Sequence, residues 1–151
     1  MIREIFVVDD NADYQFLFFK LMKELATPYS VKFFENAKAC HKHMKVLQAK
    51  KAENLPALVV LDLNMPEMNG LQLLKILKSS AVDGGDAATD IPVVIMSSYI
   101  SEQQVRQCYE AGANAVLDKP TDFLQLKTTV QAICRFWLDR SNNPAISSLA
   151  L

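Results

Sequence analysis

No apolar run in this chain approaches the ~20 residues that a membrane-spanning helix needs, and the first residues open a β-rich stretch instead of a charged-then-apolar leader. Neither a membrane span nor a secretory signal is readable, so a cytoplasmic protein is expected. Cysteine is scarce: Cys40, Cys108 and Cys134 are odd in number, lack CxxC spacing and each fall within a helical pattern. That spacing argues for reduced, packed thiols and against a disulfide or zinc framework. The only histidines, His41 and His43, stand two apart on a helical stretch and face different ways, so they read as solvated side chains and not as metal ligands. Basic charge is not in excess either. The formal net charge is -1, and the lysine pairs Lys20/Lys23, Lys42/Lys45 and Lys50/Lys51 are scattered beside apolar positions, which argues against direct nucleic-acid binding.

What is present suits one folded unit. A chain of 151 residues, half of them apolar, is long enough for a single core and too short for two. Strand and helix patterns alternate five times without internal repetition. The strands read as Ile5 to Val8, Ser30 to Phe34, Ala57 to Leu61, Val93 to Met96 and Ala115 to Leu117. The helices read as Asn11 to Leu25, Asn36 to Lys50, Leu71 to Ser80, Glu102 to Ala111 and Thr121 to about Asp139, with Asn11 and Asn36 in capping positions. In the first helix Leu17, Phe18 and Leu21 fit the inward face, leaving Phe16 or Phe19 partly outside. In the last, Phe123, Leu126, Val130, Ile133, Cys134 and Trp137 form the stripe to be buried. Val82 to Asp90 reads as a surface loop, and Asn142, Asn143 and Pro144 stop the last helix.

Such alternation specifies an α/β fold: a three-layer, doubly wound (βα)5 flavodoxin-like sandwich around a parallel five-stranded sheet of order 2-1-3-4-5. A sheet of this kind binds its ligands at the carboxyl ends of its strands, near the switch between strands one and three. Asp9 and Asp10 follow IFVV, Asp62 follows ALVVL, Ser97 follows VVIM and Lys119 follows AVLD. Three carboxylates in one crevice repel unless a cation sits among them, so the pattern points to a magnesium-dependent carboxylate that accepts a phosphoryl group. Each residue also has a plain structural reading. Asp9 and Asp10 can cap a helix, Asp62 can sit in a turn, Ser97 can cap, and Lys119 can end in solvent. All of those readings together would leave the three carboxylates converging without compensation.

VVDD at 7–10, VLDLNMPEMNG at 60–70, VIMSS at 94–98 and LDKP at 117–120 make the chain resemble a response regulator receiver domain of the CheY-like kind, over about residues 2 to 139. The resemblance implies a stand-alone regulator, with residues 1–140 as receiver and 141–151 as a short tail without an output domain. It implies that Asp62 takes a phosphoryl group from a histidine kinase or a histidine phosphotransfer protein. Asp9, Asp10, Asp62 and the backbone carbonyl of Asn64 would hold Mg2+, for which Mn2+ can substitute. Ser97 and Lys119 would bind the phosphoryl oxygens, and the bond before Pro120 would be cis. The output would be phosphorylation-dependent binding to another protein, with no nucleic acid or membrane as partner. Enzyme activity would be limited to autophosphorylation from small donors and self-dephosphorylation.

Three features depart from, or add to, that pattern. Val116 occupies the strand-five position where the family carries an aromatic switch residue. Tyr99 stands where it can overhang the site and shield a phosphoaspartate, or pack on the fourth helix. RFWLDR at 135–140 resembles the end of single-domain regulators that partner photoreceptor-type histidine kinases, where an extended last helix can support a homodimer. Two competing functions remain in view. One is a degenerate receiver that binds partners without phosphate, which Val116 keeps open for the switching step. The other is a haloacid-dehalogenase-like phosphatase, opposed by Asn64 standing where that class needs a second acid.

Overall fold

Residues 3–50, 55–79 and 91–139 are described by the computed structural model. The expected loop Val82–Asp90 and the segment 141–151 lie outside them. The chain divides into two compact units between Asp118 and Lys119.

The first unit contains β1 (Arg3–Val8), α1 (Ala12–Glu24), β2 (Tyr29–Phe34), α2 (Ala37–Ala49), β3 (Leu58–Leu61), α3 (Gly70–Ser79), β4 (Val93–Ser97), α4 (Glu102–Glu110) and β5 (Ala115–Asp118). Its strands are all parallel and lie in the order β2-β1-β3-β4-β5, as the alternation of patterns requires. Strands β1, β3 and β4 carry apolar side chains on both faces because helices cover both. Phe6, Val8, Val59, Leu61, Val93 and Ile95 join one core with Cys40 and Met44 of α2, Leu73, Leu74 and Leu77 of α3, and Cys108 of α4. On the opposite face, Ile5, Val7, Leu58, Val60, Val94 and Met96 are equally buried. Helix α1 serves that face, with Phe18 edge-on to Phe33 of β2 and the Tyr14 hydroxyl on Met96 of β4.

The helix starts follow from local chemistry. Asn11 accepts the Tyr14 N–H and Asn36 accepts the Ala39 N–H, each filling an orphan donor of the first turn. Reciprocal capping boxes join Asn69 with Gln72 before α3 and Ser101 with Gln104 before α4. Lys78 of α3 reaches across to the Ile91 carbonyl and to Asn114, whose side chain also accepts the Val93 N–H. The amino end of β4 is thereby fixed against α3 and the turn before β5.

Two expectations about this unit need correction. The buried stripe of α1 is Tyr14, Phe18, Leu21 and Met22, while Phe16, Leu17 and Phe19 are all exposed. At ~100° per residue Leu17 lies roughly a quarter-turn from the centre of that stripe, which puts it outside. The histidines are half-buried rather than solvated. His43 packs against the rings of Phe6 and Phe34, both at 5.6 Å. Its pKa is lowered by burial and by Lys32, against a smaller opposing pull from Glu4. Burial, then Lys45, lowers that of His41.

The second unit begins at Lys119 and holds α5 (Phe123–Ile133), capped by Asp122, and a π-helical segment Cys134–Asp139. Leu126, Val130, Ile133 and Cys134 are buried as the stripe requires, but Leu138 takes the place expected of Trp137, which is half-buried beside Phe136. A wider turn advances the helical register, so the next inward position falls one residue later. All three cysteines are free and buried; burial pushes the thiol of Cys40 up to about 12 and, with Asp139 adding, that of Cys134 up to about 11.

Gly70 opens α3 directly beneath the end of β3. A Cβ there would overlap the Asp62 carbonyl oxygen and stand 2.8 Å from Leu63 Cα, both backbone atoms that cannot turn aside. Gly70→Ala should therefore lower stability by at least ~1–3 kcal/mol, measurable as a reduced urea midpoint; an unchanged midpoint would mean that the loop yields freely.

Candidate functional site

The carboxyl ends of β1, β3 and β4 meet where the strand order reverses. Backbone bonds fix the first two ends: the Asp9 N–H donates to the Phe34 carbonyl and the Asp62 N–H to the Val8 carbonyl, both at 3.0 Å. Each aspartate thus prolongs the ladder by one residue, and its side chain emerges at the rim. Asp9, Asp10 and Asp62 each bring a carboxylate oxygen within 4.8 Å of the others. Asp9 and Asp62 are buried and Asp10 is exposed, so the cluster opens to solvent on one side only.

The surrounding bonds hold this geometry. The Asn11 N–H donates to Asp9 Oδ1 at 2.9 Å, and Gln15 Nε2 donates to the Asp9 carbonyl at 2.5 Å. Ser97, the last residue of β4 and fully buried, donates its hydroxyl to Asp62 Oδ1 at 2.6 Å. Asn64 contributes its backbone N–H to the same oxygen and its side-chain amide to Ser97 Oγ and the Ser98 carbonyl, each at 3.3 Å. One oxygen of Asp62 is therefore occupied by neutral donors. Lys119 is the residue next after β5 and is half-buried.

The sequence-derived residues Asp9, Asp10, Asp62, Asn64 and Ser97 are thus brought together, all within the first unit. The cis bond expected before Pro120 is not found: no described peptide bond is cis, so Lys119–Pro120 adopts the trans form, favoured for X-Pro by about 0.5–1 kcal/mol. Tyr99 neither packs on α4 nor covers the acids. Its side chain is 98% exposed, because a left-handed backbone (φ 57°) turns it outward. Val116 is half-buried, and its N–H donates to the Tyr109 hydroxyl from α4, at 3.2 Å.

Sequence reasoning passed over Tyr14 and Gln15. Gln15 carried no signal, since a glutamine one turn into a helix is usually a surface residue. Tyr14 did carry one, standing four residues before Phe18 on the buried stripe. Burial, then the charges of Asp9 and Asp62, holds its phenol well above the usual value.

Two buried carboxylates beside an exposed one suit a hard, oxygen-seeking divalent cation, because Mg2+ and Mn2+ take carboxylate oxygens and retain waters. The groups present fit such an ion: all are oxygens, and three carboxylates converge within 4.8 Å. Asp10→Asn, which removes one of the three like charges, should raise the melting temperature in chelator and narrow the gain produced by added Mg2+; a lower melting temperature in chelator would count against repulsion in the cluster.

Comparison with known proteins agrees with this geometry. The model of the response regulator receiver domain matches residues 5–131. A probable methanogenesis regulatory protein, FilR2 of Methanothrix harundinacea, is 30% identical over 143 residues, covering 93% of this chain and 88% of its own. The phosphorylated cyanobacterial phytochrome response regulator RcpA superposes with a TM-score of 0.77 at 27% identity, over 91% of this chain and 95% of its own. The Mn2+-bound form of Rcp1, a Synechocystis response regulator, gives a TM-score of 0.72 at 26% identity over 90% and 94%. The chain spans only 11% of the length of the larger sensory and kinase proteins that it also matches.

Proposed function

The chain belongs to the response regulator receiver family, and from that membership we propose that it is a stand-alone module of a two-component phosphorelay, with Asp62 as its phosphoacceptor. The observation that carries this reading is the bond from Ser97 to Asp62 at the edge of a three-carboxylate cluster. The overlap with FilR2, over 88% of that protein's length, supports a regulatory role for the matched region. The phosphorylated state of RcpA, and the match to the osmosensing histidine protein kinase SLN1 of Saccharomyces cerevisiae, support a histidine kinase, or a histidine phosphotransfer protein, as donor.

Asp62 supplies the nucleophile. A bond forms between one of its carboxylate oxygens and phosphorus as the donor's P–N bond breaks and the imidazole leaves, giving an acyl phosphate. Asp9, Asp10, Asp62 and the Asn64 backbone carbonyl are the groups that would hold Mg2+. When bound, the ion supplies charge neutralisation for the incoming oxygens. Ser97 already points its hydroxyl at Asp62 and is placed to donate to a phosphoryl oxygen instead. Lys119, following β5, is assigned a second oxygen as a compact positive charge. A phosphoryl group adds nearly two negative charges at one point, so Ser97 and the loop into α4 are drawn towards it, and a downstream protein reads the altered surface.

On the enzyme side, the chain is a stoichiometric acceptor. Asn64 stands two residues past the nucleophile, where an aspartate-based phosphatase would need an acid. Val116 cannot swing a ring between rotamers, so propagation beyond Ser97 must use other contacts.

Acetyl phosphate should add one phosphoryl group, seen by intact mass, only with Mg2+ present, and Asp62→Asn should abolish the addition. Labelling that persists in that variant would overturn the assignment. Lys119→Ala should still be labelled, at least ~10-fold more slowly, and should lose most of the accompanying change in the amide spectrum; a full spectral response would remove Lys119 from the mechanism.

A further inference from the structure

We infer that Tyr14 is a positioning residue that couples the acid cluster to the strand carrying Ser97. The inference rests on the phosphoacceptor reading and deepens it.

The contacts form a closed circuit. The Asn11 N–H donates to the Asp9 carboxylate at 2.9 Å, and the Asn11 side chain accepts the Tyr14 N–H at 3.0 Å. The Tyr14 hydroxyl donates to Met96 Sδ at 2.6 Å. Met96 immediately precedes Ser97, whose hydroxyl returns to Asp62 at 2.6 Å. Asp62 and Asp9 then close the loop through the cluster, within 4.8 Å. Every link is hydrogen-bonded, covalent or electrostatic, and all belong to the first unit.

Side chains alternate across a strand, so Met96 and Ser97 face opposite ways. Tyr14 therefore holds β4 from the α1 side, one residue before the hydroxyl that touches Asp62. The phenol is 8% exposed and its ring stands against Phe18 at 6.4 Å, so it cannot swing into solvent without opening the core. A thioether is a weak, polarizable acceptor, and Met is adaptable in shape. The tie is thus rigid at the tyrosine and yielding at the methionine. That asymmetry suits a strand that must follow Ser97 when the carboxylates gain a cation and a phosphoryl group. With Val116 unable to relay the movement through a ring on β5, control of β4 from α1 gains weight.

The test uses the full-length chain labelled at methionine methyls and backbone amides, with Mg2+ and beryllofluoride as the phosphoryl mimic. In the wild type, the Met96 methyl and Ser97 amide resonances should move together on saturation. In Tyr14→Phe, which keeps the ring and removes the hydroxyl, the Met96 methyl should lose more than half of its displacement. The Mg2+ concentration for half-saturation should rise by about fivefold, the scale of one net hydrogen bond. Met96→Leu removes the acceptor at similar volume and should give the same change in Mg2+ dependence, a second route should Tyr14→Phe fold poorly. Unchanged Mg2+ dependence in either folded variant, or an undiminished Met96 displacement in Tyr14→Phe, would overturn the inference while leaving the phosphoacceptor intact. Absence of any Ser97 response in the wild type would instead remove the phosphoacceptor reading, and the inference with it.

Discussion

Three carboxylates share the rim of a parallel sheet, and the rest of the site is arranged around the cost of keeping them there. Like charges whose oxygens lie within 4.8 Å disfavour one another, most of all where two are buried. The backbone nevertheless leaves them no escape. Asp9 and Asp62 are each pinned by a ladder bond to a neighbouring strand, and Gln15 grips the Asp9 carbonyl from α1. Neutral donors answer part of the charge at Asp62, through Ser97 and Asn64. Convergence of the three suits a bound divalent cation, which on the proposed reading ties this edge to phosphoryl chemistry.

The same edge explains why the order β2-β1-β3-β4-β5 matters. Reversal between β1 and β3 sets the ends of two adjacent buried strands side by side with no crossover above them, and leaves room for a ligand. β4 adds Ser97 from the next position in the sheet. Its amino end is anchored by Asn114 and Lys78, and its carboxyl end is held by Ser97 and Met96. A strand fixed at one end and weakly tied at the other can respond to charge at its tip without loss of register.

Much of this was readable beforehand because period and chain order carry it. Apolar runs ending in Asp, Ser and Lys marked the strands and their shared edge, and Asn11 and Asn36 marked helix starts through their side-chain chemistry. The readings that failed depended on distant partners or on exact helical phase. His43 reads as solvated in the sequence because nothing near it there shows that Phe6 and Phe34 lie alongside. Leu17 was one step from the inward stripe, and the wide turn from Cys134 to Asp139 has no marker such as Pro or Gly. The Tyr14 hydroxyl meets Met96 across 82 residues, a pairing that only the folded chain reveals. Tyr99 turned outward through a backbone angle that its residue type does not advertise.

Calorimetric titration of Mg2+ into the full-length chain addresses the charge cluster with the fewest intervening assumptions. Uptake of a single ion, lost when Asp62 and Asp10 are both made asparagine, is the result that the account requires. No heat of binding in the wild type, or equal uptake by the double variant, would contradict it.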